Sequence, residues 1–288
     1  MIRLAYLLFA AALAMPLHAE IPVKIYAQQL VDETVAKNPD LLVVVMHVTP
    51  PKAADNVIIA SNIGRIGKLG DEDDMRVINT GKSNLEVAHG GDRFEVELVL
   101  RDMDDNTIGA IGLVWPYQAG QDKKALEQKT EMIRDALAKR ILNAGNLMDR
   151  FPFDSSATTK THAQKLVEQT VAKYPELSLL ALRAASKGGG DIVTLGSNFG
   201  RHGKKADAED KNILDSGVAK THILPGGKRF SGSLPLRDSA GKAIGILNVG
   251  YAVKQGDDEK ALLAKAEKLR DELQKAIPSA EKLAELDP

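Results

Sequence analysis

The chain contains no cysteine. Disulfide staples, thiol nucleophiles and cysteine-based metal sites are therefore excluded. Aromatic residues are scarce, at 4% with a single tryptophan, so any core must be built mainly from aliphatic side chains. Neither sign of charge dominates: 38 Lys and Arg stand against 39 Asp and Glu, for a formal net charge of −1. That balance excludes the global basic field by which nucleic acid or an anionic membrane attracts a partner. Beyond the N-terminal segment, no stretch approaches the roughly 20 apolar residues of a spanning helix, so no membrane insertion of the mature chain is expected. A nucleophile elbow of the G-x-S-x-G kind and a Walker phosphate loop are both missing, so neither supports an enzyme reading.

What is present is a duplication. Residues 27–141 align with residues 163–277 at a constant offset of 136 positions, without a gap. The clearest echo is Ser61-Asn62-Ile63-Gly64-Arg65-Ile66-Gly67-Lys68 against Ser197-Asn198-Phe199-Gly200-Arg201-His202-Gly203-Lys204. Repeats of solenoids span roughly 20–50 residues. A unit of over a hundred carries its own core, and 288 residues accommodate two such units.

The first residues belong to a different category. Arg3 supplies a positive start, Leu4 to Leu17 an apolar stretch, and Leu17-His18-Ala19 a small-residue exit. This reads as a cleavable secretory signal over residues 1–19, which places the mature protein in the periplasm. The expected division is then a first domain over 20–142, a linker over 143–160 containing Pro152 and a Ser/Thr cluster, and a second domain over 161–288.

Within each unit the patterning is consistent. An amphipathic helix carrying Ala27, Leu30, Val31, Thr34 and Val35 on one face ends at Pro39, as its twin does at Pro175. Apolar runs follow at Leu41–Val48 and Leu177–Leu182. The first is β-branched and reads as a strand; the Leu/Ala-rich second fits strand or helix. A second strand over Asn56–Ala60 leads into the octet. A short acidic helix over Asp71–Asn79 comes next, with Gly81 behind it. Phe94, Val96, Leu98 and Leu100 alternate with Glu95 and Glu97 in a further strand. A last strand over Ile108–Trp115 precedes a closing helix with Leu126, Thr130, Ile133, Leu137 and Ile141 on one stripe. Strands and helices do not alternate regularly. The fold class is therefore α+β, with one largely antiparallel sheet per unit flanked by N- and C-terminal helices.

The octet is the leading candidate site. Its glycines allow close backbone approach, Ser61, Asn62, Ser197 and Asn198 offer directional hydrogen bonds, and Arg65, Lys68, Arg201 and Lys204 offer positive charge to a carboxylate or phosphate. The same residues also suit a strand ending in a Gly-rich turn, with the cations solvated or paired to Asp71 and Asp207. Trp115 and Tyr251, twins at the end of the last strand, can stack on a ligand or close the core. Arg93 and Arg229 can join an anion-binding surface or protect an edge strand. Arg101-Asp102 and Arg237-Asp238 sit at a hairpin mouth, where Asp commonly caps backbone amides. Of the histidines left after His18, none has a histidine twin: His47, His89, His162, His202 and His222. A histidine metal or haem site shared by both units is excluded, and no metal or cofactor is expected.

The element order, and the stretch Leu-Arg-Asp-x-x-Gly-x-x-Ile-Gly-Ile at Leu236 to Ile246, resemble extracytoplasmic PAS-like sensor domains of the Cache (PDC) type. That resemblance implies a sheet that cups a small ligand, here in tandem and without an output domain. The final strand carries Leu113-Val114-Trp115 and Val249-Gly250-Tyr251, where amine-sensing members often place an acid. The functional expectation is an exported, non-enzymatic protein that binds or senses a small molecule, an anionic metabolite, and works with a membrane-bound signalling or transport partner. The alternative is an accessory module that docks a protein partner without a ligand.

Overall fold

The computed structural model describes residues 23–287; the cleavable signal expected over residues 1–19 lies outside the described residues. The first repeat comprises α1 (Tyr26–Lys37), β1 (Val43–Val48), β2 (Val57–Ser61), α2 (Glu72–Thr80), β3 (Asn84–Ala88), β4 (Arg93–Arg101), β5 (Thr107–Pro116), α3 (Lys123–Ala138) and α4 (Ala144–Leu147). The second follows the same order: α5 (His162–Lys173), β6 (Leu177–Ala185), β7 (Ile192–Ser197), α6 (Ala208–Ser216), β8 (Lys220–Ile223), β9 (Arg229–Arg237), β10 (Ala243–Ala252), α7 (Glu259–Lys275) and α8 (Ala280–Ala284). Each repeat folds as a five-stranded antiparallel sheet, in order β2-β1-β5-β4-β3 and β7-β6-β10-β9-β8. The fold is α+β, with flanking helices and an arrangement consistent with two tandem PAS-like domains.

Each sheet has two distinct faces. In the first repeat Val44, Met46, Val48, Phe94, Val96, Leu98, Leu100, Ile111, Leu113 and Trp115 point into the main core, against Tyr26, Leu30 and Val31 of α1, Leu137 of α3 and Leu147 of α4. Among the described residues, the opposite face has an apolar cover at one end, where Val77 of α2 meets Val99 and Ala110. Helix α2 holds its position through a reciprocal cap. Asp71 accepts from the Asp74 amide and Asp74 accepts from the Asp71 amide; Asp207 and Asp210 repeat this in α6. The glycine of the Ile-Gly-Ile motif has a simple cause. A Cβ on Gly109 would lie 2.0 Å from the His47 carbonyl oxygen, and one on Gly245 1.8 Å from that of Arg183. Only glycine lets the central strands approach this closely.

Three features depart from the sequence reading. The ambiguous Leu/Ala run is strand throughout β6 and continues to Ala185. β3 and β8 complete each sheet with a short edge strand. The segment expected to be linker is in its first half part of the first repeat. α4 is helical, and the Tyr26 amide donates to the Asp149 carbonyl at 2.8 Å, while Arg150 bridges Ile25. The second repeat reproduces this as His162 amide to Glu285 carbonyl at 2.8 Å, with Leu286 bridging Thr161. The duplicated build therefore runs beyond residue 141, to 151 and 287.

The repeats meet through a polar seam. Arg229, buried, pairs with Asp104 at 3.3 Å, and Lys228 donates to the Asn106 side chain at 2.7 Å. Arg201 Nε lies 3.1 Å from Asp149 Oδ2, and the Phe153 amide donates to the His202 carbonyl at 2.8 Å. His202 itself is buried between repeats. Its Nε2 sits 2.8 Å from Gln164 Oε1, and its ring meets Phe151 edge-on at 5.7 Å. Burial first, then the charge of Arg140, pushes its pKa down to about 4.

Candidate functional site

The residues of the octet divide into two groups. Ser and Asn serve the scaffold. Asn62 Oδ1 accepts from the Val44 amide at 2.8 Å and its Nδ2 donates to the Leu42 carbonyl at 3.1 Å, stitching the exit of β2 to the start of β1. Asn198 does the same with Leu180 and Ser178. The Ser61 and Ser197 hydroxyls accept from the amides two residues on. The backbone of each serine is held by a glutamine of the first helix, Gln28 or Gln164. These side chains are committed to backbone groups. The glycines and arginines make the turn itself: Gly64, Arg65 and Gly67 have φ of 77°, 65° and 86°, and Gly200, Arg201 and Gly203 have 77°, 68° and 80°.

The two aromatic twins belong to the core. Trp115 is fully buried and donates from Nε1 to Thr130 Oγ1 at 2.9 Å, with the Lys129 ammonium 4.1 Å above its ring. Tyr251 is buried beside Phe230 under Lys265, although its edge also lines a shallow groove near Glu176. Asp102 and Asp238 act as turn formers, each accepting two amides of its own hairpin.

Arg65 and Lys68 do converge on a cavity, and the residues that define it are ones the octet did not indicate. On the open face of the first sheet lies a cleft of about 270 Å³, bounded by α2, the octet turn and β3. Arg65, Lys68 and Arg93 stand among its lining, with Asp71, Asp73, Asp74, Glu86, Glu95 and Glu97. Six carboxylates thus face three cations. Asp71 and Asp74 cap α2 and Asp73 pairs with Arg76, while Glu86, Glu95 and Glu97 project from β3 and β4. Glu86 and Glu95 lie directly opposite each other across the β3–β4 ladder, a like-charged pairing that costs stability.

The deepest part is a buried polar cluster. Glu97 is 5%, Asp74 6% and His47 8% exposed. His47 Nδ1 is 3.2 Å from Asp74 Oδ2, outside good hydrogen-bond geometry, and Glu97 Oε1 has no hydrogen-bond partner among the described residues. Burial is the main reason that the Glu97 carboxyl is pushed up to about 9; the adjoining Asp74, Glu95 and Asp71 act in the same direction. Glu95 is raised as well, by burial and then by Glu86, Asp74, Asp71 and Asp73. His47 is lowered by burial, against the pull of Asp74 and Asp71. At neutral pH the floor therefore holds a neutral imidazole and a protonated Glu97 beside Asp74.

The second repeat shows the same position in another state. Arg183 replaces His47 and pairs, buried, with Asp210, the twin of Asp74. Ser231 and Ser233 replace Glu95 and Glu97. Asn248 replaces Gly112 and donates to Ser233 Oγ at 2.8 Å. The octet cations are occupied too, since Arg201 is paired with Asp149 and Lys204 lies 5.7 Å over the Phe153 ring. The chain thus supplies its own cation to the second acidic position. The first position has an imidazole and open space.

No family model matches the chain, and no curated protein matches it. Among solved structures, the Agobacterium tumefaciens repressor BlcR aligns at 11% identity over 39% of this chain and 66% of that one, with a TM-score of 0.30. The E. coli DhaR(N)–DhaL complex aligns at 12% over 78% and 86%, with a TM-score of 0.29. An RNA-binding light-oxygen-voltage receptor aligns at 11% over 78% and 99%, with a TM-score of 0.18. Similarity at this level carries no argument, and the fold assignment rests on the strand order. No described helix is long and apolar enough to cross a membrane.

Proposed function

We propose that the first repeat binds a small molecule whose buried end is an organic cation, such as a protonated amine. The chain would act as a non-enzymatic binding or sensing module in the periplasm. The observation that carries this reading is the contrast between twins. Where the second repeat places the Arg183 guanidinium against Asp210, the first leaves a cleft whose floor carries Asp74, Glu95 and Glu97. A cation seated there supplies the charge that Arg183 supplies in its twin and relieves the Glu86–Glu95 repulsion. The anionic group expected from the octet finds its partners only in Arg65, Lys68 and Arg93. An acidic end, where the ligand has one, faces those cations, and the ligand is then zwitterionic. Only one of the two repeats is competent. The periplasmic location is supported by the N-terminal sequence alone, and the membrane-bound partner belongs to the same proposal.

The test is a thermal-shift screen of amines, zwitterions and dicarboxylates against the wild-type chain and Glu97→Gln. Amines or zwitterions should raise the wild-type melting temperature and lose most of that effect in the variant. A response to dicarboxylates alone, or no response to any class, overturns the reading.

A further inference from the structure

The octet turn has a second use, visible in the second repeat. There, residues 198–204 are all buried or half-buried, covered by the first repeat together with residues 153–157 of the connecting segment. Asn146 Nδ2 donates to the Phe199 carbonyl at 3.2 Å, and Asn198 Nδ2 donates to the Lys139 carbonyl at 3.2 Å. Phe199 clusters with Leu179 and Ala181, and Met103 and Leu142 pack against that cluster. A Cβ on Gly200 would lie 2.7 Å from the Tyr26 ring, so this glycine is needed for contact. Arg201, in a left-handed conformation, reaches Asp149.

In the first repeat the same turn is built to the same shape, borders the cleft of its own repeat, and among the described residues packs against no other domain. Residues 62–68 are all exposed. Ile63, Ile66 and Leu69 are 43%, 59% and 59% exposed, side by side on one short turn. A Cβ on Gly64 or Gly67 would have nothing within 4 Å. Arg65 keeps the left-handed backbone that is costly for a non-glycine residue, and it makes no ion pair among the described residues.

The other half of that interface recurs in part, in residues 279–287, while Met103 and Leu142 have Ser239 and Pro278 as their twins. Residues 279–287 repeat the build of residues 143–151, with Leu283 for Leu147 and Glu285 for Asp149. The backbone bonds that hold Asp149 in place recur: the Asp287 amide donates to the Lys160 carbonyl at 2.9 Å, as the Phe151 amide does to Lys24 at 2.8 Å. Glu285 and Leu286 are exposed, and Lys282, in the place of buried Asn146, is half-buried and donates to Glu285 Oε2 at 2.6 Å, a solvated pair that an incoming arginine would have to share or displace.

We propose that a second copy of this chain docks head to tail. The octet turn of one chain seats on the α8 segment of the next, with Arg65 against Glu285, and the contact between repeats is thereby repeated between chains. A heterologous contact of this kind leaves one free half at each end and propagates. It is weaker than the contact within the chain for two reasons. The buried Arg229–Asp104 pair has Arg93 and Ala240 as its twins, and the tether that raises the local concentration of the second repeat is missing between chains.

The experiment is sedimentation velocity over a concentration series, on the wild-type chain, Ile66→Glu, Glu285→Arg and an equimolar mixture of the two variants. Both positions are exposed, and far-UV circular dichroism confirms that each variant is folded. The wild-type sedimentation coefficient should rise with concentration, and each variant alone should stay monomeric. The mixture should form a complex of two chains and stop there, because each variant retains one intact half. A wild-type chain that stays monomeric throughout overturns the proposal. So does a variant that associates as the wild type does, or a mixture that stays monomeric while the wild type associates.

Discussion

Replacing Glu97 with Gln should stabilise the protein, and by an amount that depends on pH. Burial and the neighbouring carboxylates raise the Glu97 carboxyl from 4.5 to about 9. In the unfolded chain Glu97 is free to ionise, so between these two values the unfolded state releases a proton that the native state retains. Stability contributed by the protonated carboxyl is complete below about pH 4.5 and is lost as pH rises towards about 9. At pH 7 the interval above 4.5, at about 1.36 kcal/mol per pH unit, sets a ceiling of ~3.4 kcal/mol. The cleft is open to water, whose screening brings the expected cost to ~1–2 kcal/mol. A glutamine side chain keeps the shape and cannot ionise. Urea denaturation of both proteins at pH 5, 7 and 9 should give nearly equal stabilities at pH 5 and a growing advantage for the variant above it. A difference that stays flat with pH, or that favours the wild type at pH 9, would refute the assignment of a protonated Glu97 to the cleft floor.

Three further outcomes follow from the same structure. His202, held at about 4 by burial, should make the protein acid-sensitive. Its stabilising contribution is complete above about pH 6.5 and is lost as pH falls towards 4, so the deficit is about 2 kcal/mol at pH 5; His202→Gln should remove that sensitivity, as read from melting curves between pH 7 and 5. Arg183→Ala leaves Asp210 buried without its partner and should cost about 3–5 kcal/mol by urea denaturation, whereas His47→Ala, which removes a neutral ring at an open cleft, should cost well under half as much. Trp115→Ala empties the largest buried site of the first core and should cost about 3–5 kcal/mol, with ligand response at the remaining folded fraction unchanged.

The architecture was legible because periodicity and duplication agreed. The stripe from Ala27 to Thr34, the alternation from Phe94 to Leu100 and the positions of Pro39 and Pro175 all describe elements that the structure contains. α4 and the edge strand β3 were less visible. One helical turn is too short to show a period, and Leu85 and Val87 point outward from an edge strand instead of into a core. The site was only half legible. Arg65 and Lys68 stood out as cations retained in both copies. Glu95 and Glu97 looked like the solvated face of a half-buried strand, because alternation shows which residues share a face and not what covers that face. The missed signal lay in the differences between twins: His47 for Arg183, Glu97 for Ser233 and Gly112 for Asn248 exchange a filled, neutralised position for an open acidic one. Asn62 and Asn198 drew attention for the opposite reason. Their amides are needed to bridge strands some twenty residues away, and local sequence does not display that requirement.

The most direct test of the central claim is isothermal titration of the best-responding amine or zwitterion at pH 7, in two buffers of different ionisation enthalpy. A cation seated beside Glu97 favours its carboxylate, so binding should release protons, and the apparent enthalpy should differ between buffers. The stoichiometry should be one ligand per chain, with both features lost in Glu97→Gln. Binding of two ligands per chain, or binding that is unchanged between buffers and in the variant, would contradict the account.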